Sequence, residues 1–191
     1  MVKVDVVDRE HWIVTVGELL SREECDEWIA LAEGVGFGDA PITTAFGFVH
    51  APEVRNNTRV MLDDTERAAS LWKRVKRYVP EQRGGWRALG LNERFRFYRY
   101  EPGQYFRWHY DGAFERSPRE RSLITLMVYL NGAMTGGATE FSDFGRVVPE
   151  TGKALLFEHA VRHQGAPVES GRKYVLRTDV MYRRRDGIAH E

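Results

Sequence analysis

Residues 123–141 read LITLMVYLNGAMTGGATEF, and this stretch is the part of the sequence that decides the fold. A segment rich in β-branched and aromatic side chains ends at Asn131-Gly132, and a second turn signal, Gly136-Gly137, precedes another short apolar segment. This alternation is typical of strands joined by tight turns. It extends from Asn92 onward and predicts strands at 94–100, 123–130, 139–141, 153–157, 163–168 and 173–182. Because no helical pattern separates these strands, we expect them to pair antiparallel in a sandwich or jelly roll.

The first half of the chain has helical periodicity instead. Ser21 is predicted to cap a helix over about 22–33, in which Glu24 completes a capping box and Gly34 ends the helix. A second helix is predicted to begin at residue 63 or 64 and to stop before Pro80. Both helices are expected to support the strands.

These patterns together predict an α+β fold. We expect a double-stranded β-helix (jelly roll) over about 92–182, with supporting N-terminal helices within about 1–91. The length of 191 residues suits a single domain, 1–191.

Charge and cysteine content limit the classes of function. Lysine plus arginine and aspartate plus glutamate each number 28, so no net charge draws the protein toward nucleic acid or an anionic membrane. No apolar run approaches the roughly 18 residues of a membrane span, and the stretch Met1–Asp8 does not resemble a signal peptide. Cys25 is the single cysteine, which favours a buried thiol in a reducing compartment. We therefore expect a soluble cytoplasmic protein with neither nucleic acid nor membrane as a partner.

A candidate metal site lies at residues 109–111, which read His-Tyr-Asp. Residues two apart in a strand point to the same face, so His109 and Asp111 can bind one ion together. His163 begins another predicted strand and can supply a third ligand if that strand folds back beside the first. Two imidazoles and one carboxylate leave the opposite positions of the metal open, an arrangement typical of iron(II) oxygenases.

A further histidine, His159, lies four positions before His163. The glutamate of this segment, Glu158, precedes both histidines instead of lying between them, so the metalloprotease pattern is absent. We interpret His159 as a turn or site-rim residue, not as a ligand.

Residues 163–174 read HQGAPVESGRKY and resemble the prolyl 4-hydroxylase branch of the 2-oxoglutarate- and iron(II)-dependent dioxygenases. In that branch the distal histidine is followed by Gly, by Pro-Val, by Gly and then by a basic residue ten positions after the histidine. The corresponding residue here is Lys173. The resemblance extends over about 92–182, nearly half of the chain.

The resemblance implies a role for Lys173. A 2-oxoglutarate that chelates the metal through its 2-oxo and C1 carboxylate groups places its far carboxylate deep in the barrel, where a buried anion needs a paired cation. Lys173 is the first candidate, and Arg172 and Arg177 are alternative cations. Three hydroxyls are further candidates by resemblance: Tyr100 and Thr139 as contacts of the co-substrate, and Tyr129 as part of the pocket wall.

The substrate side has weaker signals. Arg121 resembles a substrate-holding arginine of prolyl hydroxylases but stands one place out of register. Arg55 and Asn57 lie in a cluster that could bind a peptide backbone or a carboxylate, or could be a solvated loop. Trp108 is expected to pack in the core, and the glycine-containing segment 34–51 is a candidate lid.

The activity that the resemblance implies is hydroxylation of a peptidyl-proline or similar side chain, with release of succinate and carbon dioxide. The implied cofactors are Fe(II), 2-oxoglutarate as co-substrate and O2, with ascorbate as an additional candidate. The partner would be a peptide, protein or small-molecule substrate. Two alternatives stay open: a related oxygenase acting on a small molecule or another residue, and a jelly-roll metal-binding module without turnover.

Overall fold

The computed structural model describes residues 3–8, 12–44 and 47–184. Helix α1 spans Arg22–Val35. Helix α2 spans Thr65–Val75, is capped by the Asp64 side chain and continues into a 3₁₀ turn, Lys76–Tyr78. The predicted capping box at the start of α1 is confirmed, because Ser21 and Glu24 each accept a hydrogen bond from the other's backbone N–H. Helix α1 ends at Gly36, two residues beyond the predicted end, where the backbone takes a φ of +93° that favours glycine.

The described residues also form nineteen strands, β1 to β19 in chain order. Their bounds are Val4–Asp8, Ile13–Val16, Gly38–Asp39, Ile42–Thr44, Gly47–Val49, Thr58–Asp63, Gln82–Arg83, Trp86–Leu91, Arg94–Tyr100, Phe106–His109, Glu115–Ser117, Glu120–Tyr129, Thr135–Gly136, Thr139–Phe141, Gly145–Val147, Ala154–Glu158, His163–Gly165, Val168–Ser170 and Lys173–Arg184.

Two antiparallel sheets form the jelly roll. The larger sheet has the strand order β1-β2-β16-β12-β19-β9-β6-β3, with β8 also paired to β19. The smaller sheet has the order β10-β17-β14-β15. A buried cluster joins the two sheets: Tyr98 and Val175 of the larger sheet pack in it with Phe141 and Val147 of the smaller one. A second cluster packs both helices against the larger sheet and contains the buried Cys25, as predicted.

The region before residue 92 contributes strands as well as the predicted helices. Strand β2 pairs with β16, β6 with β9, and β8 with β19. In the β2 pairing, Val14 lies opposite Leu156. Short strands of this kind are stabilised by partners distant in the sequence, and their local patterns are weaker than those of the helices beside them.

One predicted strand is divided. The segment 163–168 forms β17 and then β18, with Ala166-Pro167 between them. Pro167 has no backbone N–H to donate to a neighbouring strand, so the ladder stops there. No helix among the described residues is long and apolar enough to cross a membrane.

Candidate metal centre and adjoining cavities

The structure brings the three predicted metal ligands together. Strands β10 and β17 are antiparallel partners in which His109 lies directly opposite His163. Asp111 follows the end of β10, and its backbone N–H donates to the carbonyl of His159. The carboxylate lies between the two imidazoles, with Oδ1 3.7 Å from Nε2 of His109 and Oδ2 3.7 Å from Nε2 of His163. One potential ligand atom from each of the three residues lies within 4.8 Å of the others.

Hydrogen bonds fix which nitrogen of each histidine faces the centre. Nδ1 of His109 lies 2.7 Å from the carbonyl of Arg107, and Nδ1 of His163 lies 3.0 Å from the carbonyl of Val161. A carbonyl only accepts, so each Nδ1 carries the proton and each Nε2 presents a lone pair. Histidines that bind a metal through Nε2 typically donate their other N–H to an acceptor in this way.

The ionisation states also suit a cation. Burial lowers the pKa of His109 to about 3 and lowers that of His163, so both rings are neutral. Burial alone would raise the pKa of Asp111, but Arg177, the two histidines and the hydrogen bond from Thr125 together outweigh it, and the pKa of this carboxyl lies below its usual range. Metal ligands must be deprotonated to bind, and all three side chains meet that condition.

His159 lies in a turn, which is one of its two predicted placements, and not at the site rim. It is buried, with Nε2 2.8 Å from the hydroxyl of Ser122 and Nδ1 2.9 Å from the hydroxyl of Thr125. Thr125 in turn donates to Asp111 over 2.6 Å. His159 therefore supports the candidate ligand Asp111 through Thr125. Both of its ring nitrogens contact hydroxyl groups, so neither faces the metal centre.

Arg177 is part of the centre, although sequence analysis considered it only as an alternative co-substrate cation. Its Nη1 lies 2.8 Å from Oδ1 of Asp111, and its Nη2 lies 3.4 Å from Oδ1 of Asp179. Strand alternation could have predicted this position, because residues four apart in a strand point to the same face. Arg177 follows Lys173 by four positions in β19, and both line the same pocket.

Lys173 lies at the deep end of the pocket that contains the three candidate ligands. Its side chain is 1% exposed, and Nζ donates to the carbonyl of Gly137 over 2.6 Å. The rings of Tyr100 and Tyr129 lie beside it, with centroids 4.9 Å and 5.7 Å from Nζ. Among the described residues, no carboxylate forms an ion pair with Lys173, and burial lowers its pKa to about 7. Nζ is therefore a buried donor without a counter-ion.

Two of the three predicted hydroxyl residues, Tyr100 and Thr139, line the same pocket, whereas Tyr129 does not line it and contacts Thr139. Tyr100 lies opposite Lys173 across strands β9 and β19, and its hydroxyl reaches the pocket. Tyr129 donates to the hydroxyl of Thr139 over 2.7 Å, and Thr139 lines the pocket. Arg172, by contrast, faces outward, where its Nε lies 2.6 Å from Glu101.

Arg121 is not brought to the site, which corrects its prediction as a substrate residue. Its guanidinium lies 5.8 Å from the ring centroid of Trp86, and Nη1 lies 3.5 Å from Glu115. The pairing of β12 with β19 shifts register between Ser122 and Ile124. This irregularity places Ser122 and Thr125 on the His159 side and turns Arg121 away.

Trp108 does not pack in the core as predicted; it is 38% exposed, with the guanidinium of Arg162 5.4 Å from its ring centroid. Trp108 and His109 are neighbours in β10 and therefore point to opposite faces, and the Trp108 face meets solvent.

Arg55 and Asn57 are both buried, so the solvated-loop alternative is wrong. The Arg55 guanidinium lies between the rings of Tyr98 and Phe106, 4.4 Å from each centroid, and Nε donates to Oδ1 of Asn57 over 2.7 Å. Arg55 lines a second cavity of about 510 Å³ that adjoins the metal centre. Asn57 does not line this cavity but accepts the hydrogen bond that holds Arg55.

Comparison with known proteins shows what this chain is similar to. Residues 95–178 match the family model described as the 2OG-Fe(II) oxygenase superfamily. The matched region contains all three candidate ligands.

The proteins similar to this chain include prolyl hydroxylases. A protein of Acanthamoeba polyphaga mimivirus named "Putative prolyl 4-hydroxylase" is 31% identical over a region that covers 40% of this chain and 40% of the relative. The match thus spans less than half the length of that relative.

Solved structures of low identity share the fold. A viral collagen prolyl hydroxylase from Paramecium bursaria Chlorella virus-1, solved with 2-oxoglutarate, aligns with a TM-score of 0.63 at 21% identity, over 94% of this chain and 99% of the other. A prolyl-4-hydroxylase of Pseudomonas putida aligns with a TM-score of 0.65 at 18% identity, over 95% and 98%. A Trichoplax adhaerens prolyl hydroxylase in complex with a peptide fragment of a hypoxia-inducible factor reaches 0.69 at 17% identity, over 92% and 86%. These alignments cover nearly the whole chain and establish the jelly-roll fold.

Proposed function

We propose that this protein is an Fe(II)- and 2-oxoglutarate-dependent dioxygenase that hydroxylates a peptidyl-proline or a similar side chain, with release of succinate and carbon dioxide. The observation that carries the proposal is one pocket that combines three convergent metal-ligand side chains with a buried, unpaired ammonium group. His109, Asp111 and His163 fit a divalent cation of the type that keeps open coordination positions. Lys173 fits the far carboxylate of a dicarboxylate.

The fit to 2-oxoglutarate follows from the chemistry of the donors. A buried ammonium group whose one hydrogen bond within the described part of the chain goes to a carbonyl is unfavourable until an anion joins it. Lys173 would bind the far carboxylate, while Tyr100 and Thr139 offer hydroxyls in the same lining. Arg172 is excluded from this role by its outward ion pair, and Arg177 is already shared between Asp111 and Asp179.

The bound groups and the residues around them would have different roles in the reaction. When bound, iron and 2-oxoglutarate supply the chemistry: O2 takes two electrons from 2-oxoglutarate as it loses carbon dioxide and two from the C–H bond that becomes C–OH. Thr125 and Arg177 hold the Asp111 carboxylate in place. Phe141 and Phe157 lie beside His163 and exclude water from the inner wall.

The peptide substrate is supported by two similar proteins: one is named "Putative prolyl 4-hydroxylase", and the other is a prolyl hydroxylase solved with a bound peptide. A cavity of about 510 Å³ adjoins the metal centre and offers space for such a segment. Ascorbate as an additional cofactor and a cytoplasmic location remain predictions, for which no residue of the structure is assigned.

Succinate release in the presence of Fe(II), 2-oxoglutarate, O2 and proline-containing peptides tests this proposal. We expect the substitution Asp111→Ala to abolish both succinate release and binding of Mn(II), measured by electron paramagnetic resonance. Asp26→Ala, on the exposed face of α1, is the matched control and should leave both unchanged. Full turnover by the Asp111 variant would reject the ligand assignment. Tight Mn(II) binding by the wild type without succinate release from any peptide or metabolite would indicate a metal-binding module without turnover.

A further inference from the structure

The cavity next to the metal centre has a strongly basic wall. Four arginines line it: Arg55, Arg59, Arg96 and Arg177. Three of them lie on adjacent strands of the larger sheet: Arg59 is opposite Tyr98, and Arg96 is opposite Arg177. Since Tyr98 and Arg96 are two apart in β9, these three arginine side chains project from the same face of the sheet.

Carboxylates neutralise only part of this wall. Asp179 lies 2.9 Å from Nη1 of Arg96 and also contacts Arg177. Asp111 pairs with Arg177 and is a candidate metal ligand. Among the described residues that line the cavity, Asp111 is the sole carboxylate. Four guanidinium groups against two carboxylates leave an excess of two positive charges.

The excess is located on Arg55 and Arg59. Neither forms an ion pair with any carboxylate of the described residues. Arg55 is 5% exposed, and its Nη2 is buried without a hydrogen-bond partner. The rings of Tyr98 and Phe106 cover the faces of this guanidinium but cannot accept the hydrogen bonds of its edge.

Arg59 is in a similar position. It is partly buried, and its pKa is lowered by burial, with Arg55 and Arg96 among the charges that lower it further. An arginine with only a structural role would be expected to have a carboxylate or carbonyl partner. A cavity wall with two guanidinium groups that lack a carboxylate partner, one of them with a buried and unsatisfied Nη2, is instead a binding site for an anion.

We propose that the segment bound in this cavity is an acidic peptide, in which a carboxylate side chain next to the oxidised residue binds Arg59 and Arg55. This inference rests on the proposed function, which places a peptide at the metal centre. The remaining wall is apolar, formed by Pro41, Ile42, Val54, Phe114 and the ring of Tyr110. It suits an apolar target side chain such as proline, while the basic face selects the acidic neighbour.

Binding without turnover tests the inference. Full-length protein loaded with Mn(II) and 2-oxoglutarate is titrated, under anaerobic conditions, into two fluorescent peptides, one with glutamate and one with glutamine beside a central proline, and anisotropy is measured. We expect the glutamate peptide to bind about tenfold more tightly, the equivalent of roughly 1.4 kcal/mol. Arg59→Gln should reduce this preference to less than about twofold, and Arg59→Lys should retain part of it.

The controls separate charge recognition from folding. Arg87→Gln removes an exposed arginine that pairs with Glu81 and does not line the cavity, so it should keep the full preference. The thermal midpoint of Arg59→Gln should equal or exceed that of the wild type, because the substitution removes like-charge repulsion. Equal binding of both peptides by the wild type, or an unchanged preference in Arg59→Gln, would overturn the inference.

Two further results distinguish the inference from the proposed function. Equal succinate release from both peptides, with no effect of Arg59→Gln, would support the proposed function and reject the acidic preference. Arg59-dependent binding of the glutamate peptide without succinate from any peptide would support the anion site and reject peptide hydroxylation. Binding of free N-acetylglutamate as tight as that of the peptide would identify a small acid as the source of the carboxylate and overturn the peptide assignment.

Discussion

The hydroxyl of Thr125 donates a hydrogen bond of 2.6 Å to Oδ2 of Asp111. Because this proton is committed to the carboxylate, the contact of 2.9 Å between Thr125 and His159 must have Nδ1 of His159 as the donor. Nε2 of the same ring then accepts from Ser122 over 2.8 Å. Burial lowers the pKa of His159, which keeps the ring in the neutral form that this direction requires. A directed chain of three side chains thus orients the candidate ligand.

Thr125→Val should weaken metal binding while preserving the fold. Valine has nearly the same shape, so the change keeps the packing but removes both the hydrogen bond to Asp111 and the acceptor for the Nδ1 proton of His159. Loss of a supporting partner of a metal ligand reduces affinity by roughly 10- to 100-fold. Titration with Co(II), followed by its visible absorption, measures the effect. Thr125→Ser retains the hydroxyl and should retain most of the affinity, so similar losses in both variants would refute a role for the hydrogen bond.

The affinity for 2-oxoglutarate should fall as pH rises above about 7. Burial lowers the pKa of Lys173 to about 7 in the protein without ligand, and only the charged ammonium group pairs with a carboxylate. Binding therefore takes up a proton above this pH, and the dissociation constant should rise by at most about tenfold per pH unit. Calorimetry of the Mn(II) protein in buffers of different ionisation enthalpy measures the proton uptake.

Variants of Lys173 separate its titration from that of the metal centre. Lys173→Arg stays charged throughout and should have a flatter pH profile. Lys173→Met should weaken 2-oxoglutarate binding on the order of 100-fold. In the absence of ligand this variant should melt at least as high as the wild type, because a lysine whose folded pKa is depressed destabilises the fold below its unfolded pKa. A steep profile in Lys173→Arg would assign the pH dependence to another group.

The sequence was sufficient to predict features that depend on local spacing. His109 and Asp111 are two apart at a strand end, and Lys173 follows His163 at the interval of the resembling family, so these residues were identified before the strands were placed in space. The jelly roll was predicted from the same strand-rich region. The structure adds the direct opposition of His109 and His163 across β10 and β17, which fixes the ligand geometry.

Features that depend on distant pairing could not be predicted in this way. The irregularity near Ser122 in β12 turns Arg121 away from the site, and strict alternation gives no indication of it. Arg55 looked like part of an exposed loop because the two rings that bury it, Tyr98 and Phe106, come from strands about 40 and 50 residues later. The basic wall likewise depends on distant pairing, because Arg59, Arg96 and Arg177 lie on three strands that are far apart in the sequence but adjacent in the sheet.

Gly137→Ala should impair the pocket through Lys173. The backbone at Gly137 has a φ of +67°, and an added Cβ would lie 3.2 Å from Cδ of Lys173 and 3.1 Å from Val168. Alanine would therefore strain the backbone by roughly 1–2 kcal/mol and would crowd the methylene chain of Lys173. Gly84→Ala is the matched control, because Gly84 has a φ of +48° and no atom within 4 Å of the added Cβ. Both variants should melt lower than the wild type, but only Gly137→Ala should weaken 2-oxoglutarate binding.

Phe106→Leu should lower the affinity of the metal centre and loosen the packing of Arg55 in the basic wall. The Phe106 ring stacks on His109 with centroids 3.6 Å apart and planes 16° apart, and the Arg55 guanidinium lies 4.4 Å from the same ring. Leucine keeps apolar volume but removes the flat surface against which the imidazole is aligned, so Mn(II) affinity should fall by roughly 2- to 10-fold, the equivalent of an aromatic pair. Phe106→Tyr keeps the ring and should bind Mn(II) like the wild type. If the leucine variant also kept wild-type affinity, the backbone contact at Nδ1 of His109 would be enough to orient the imidazole without the ring.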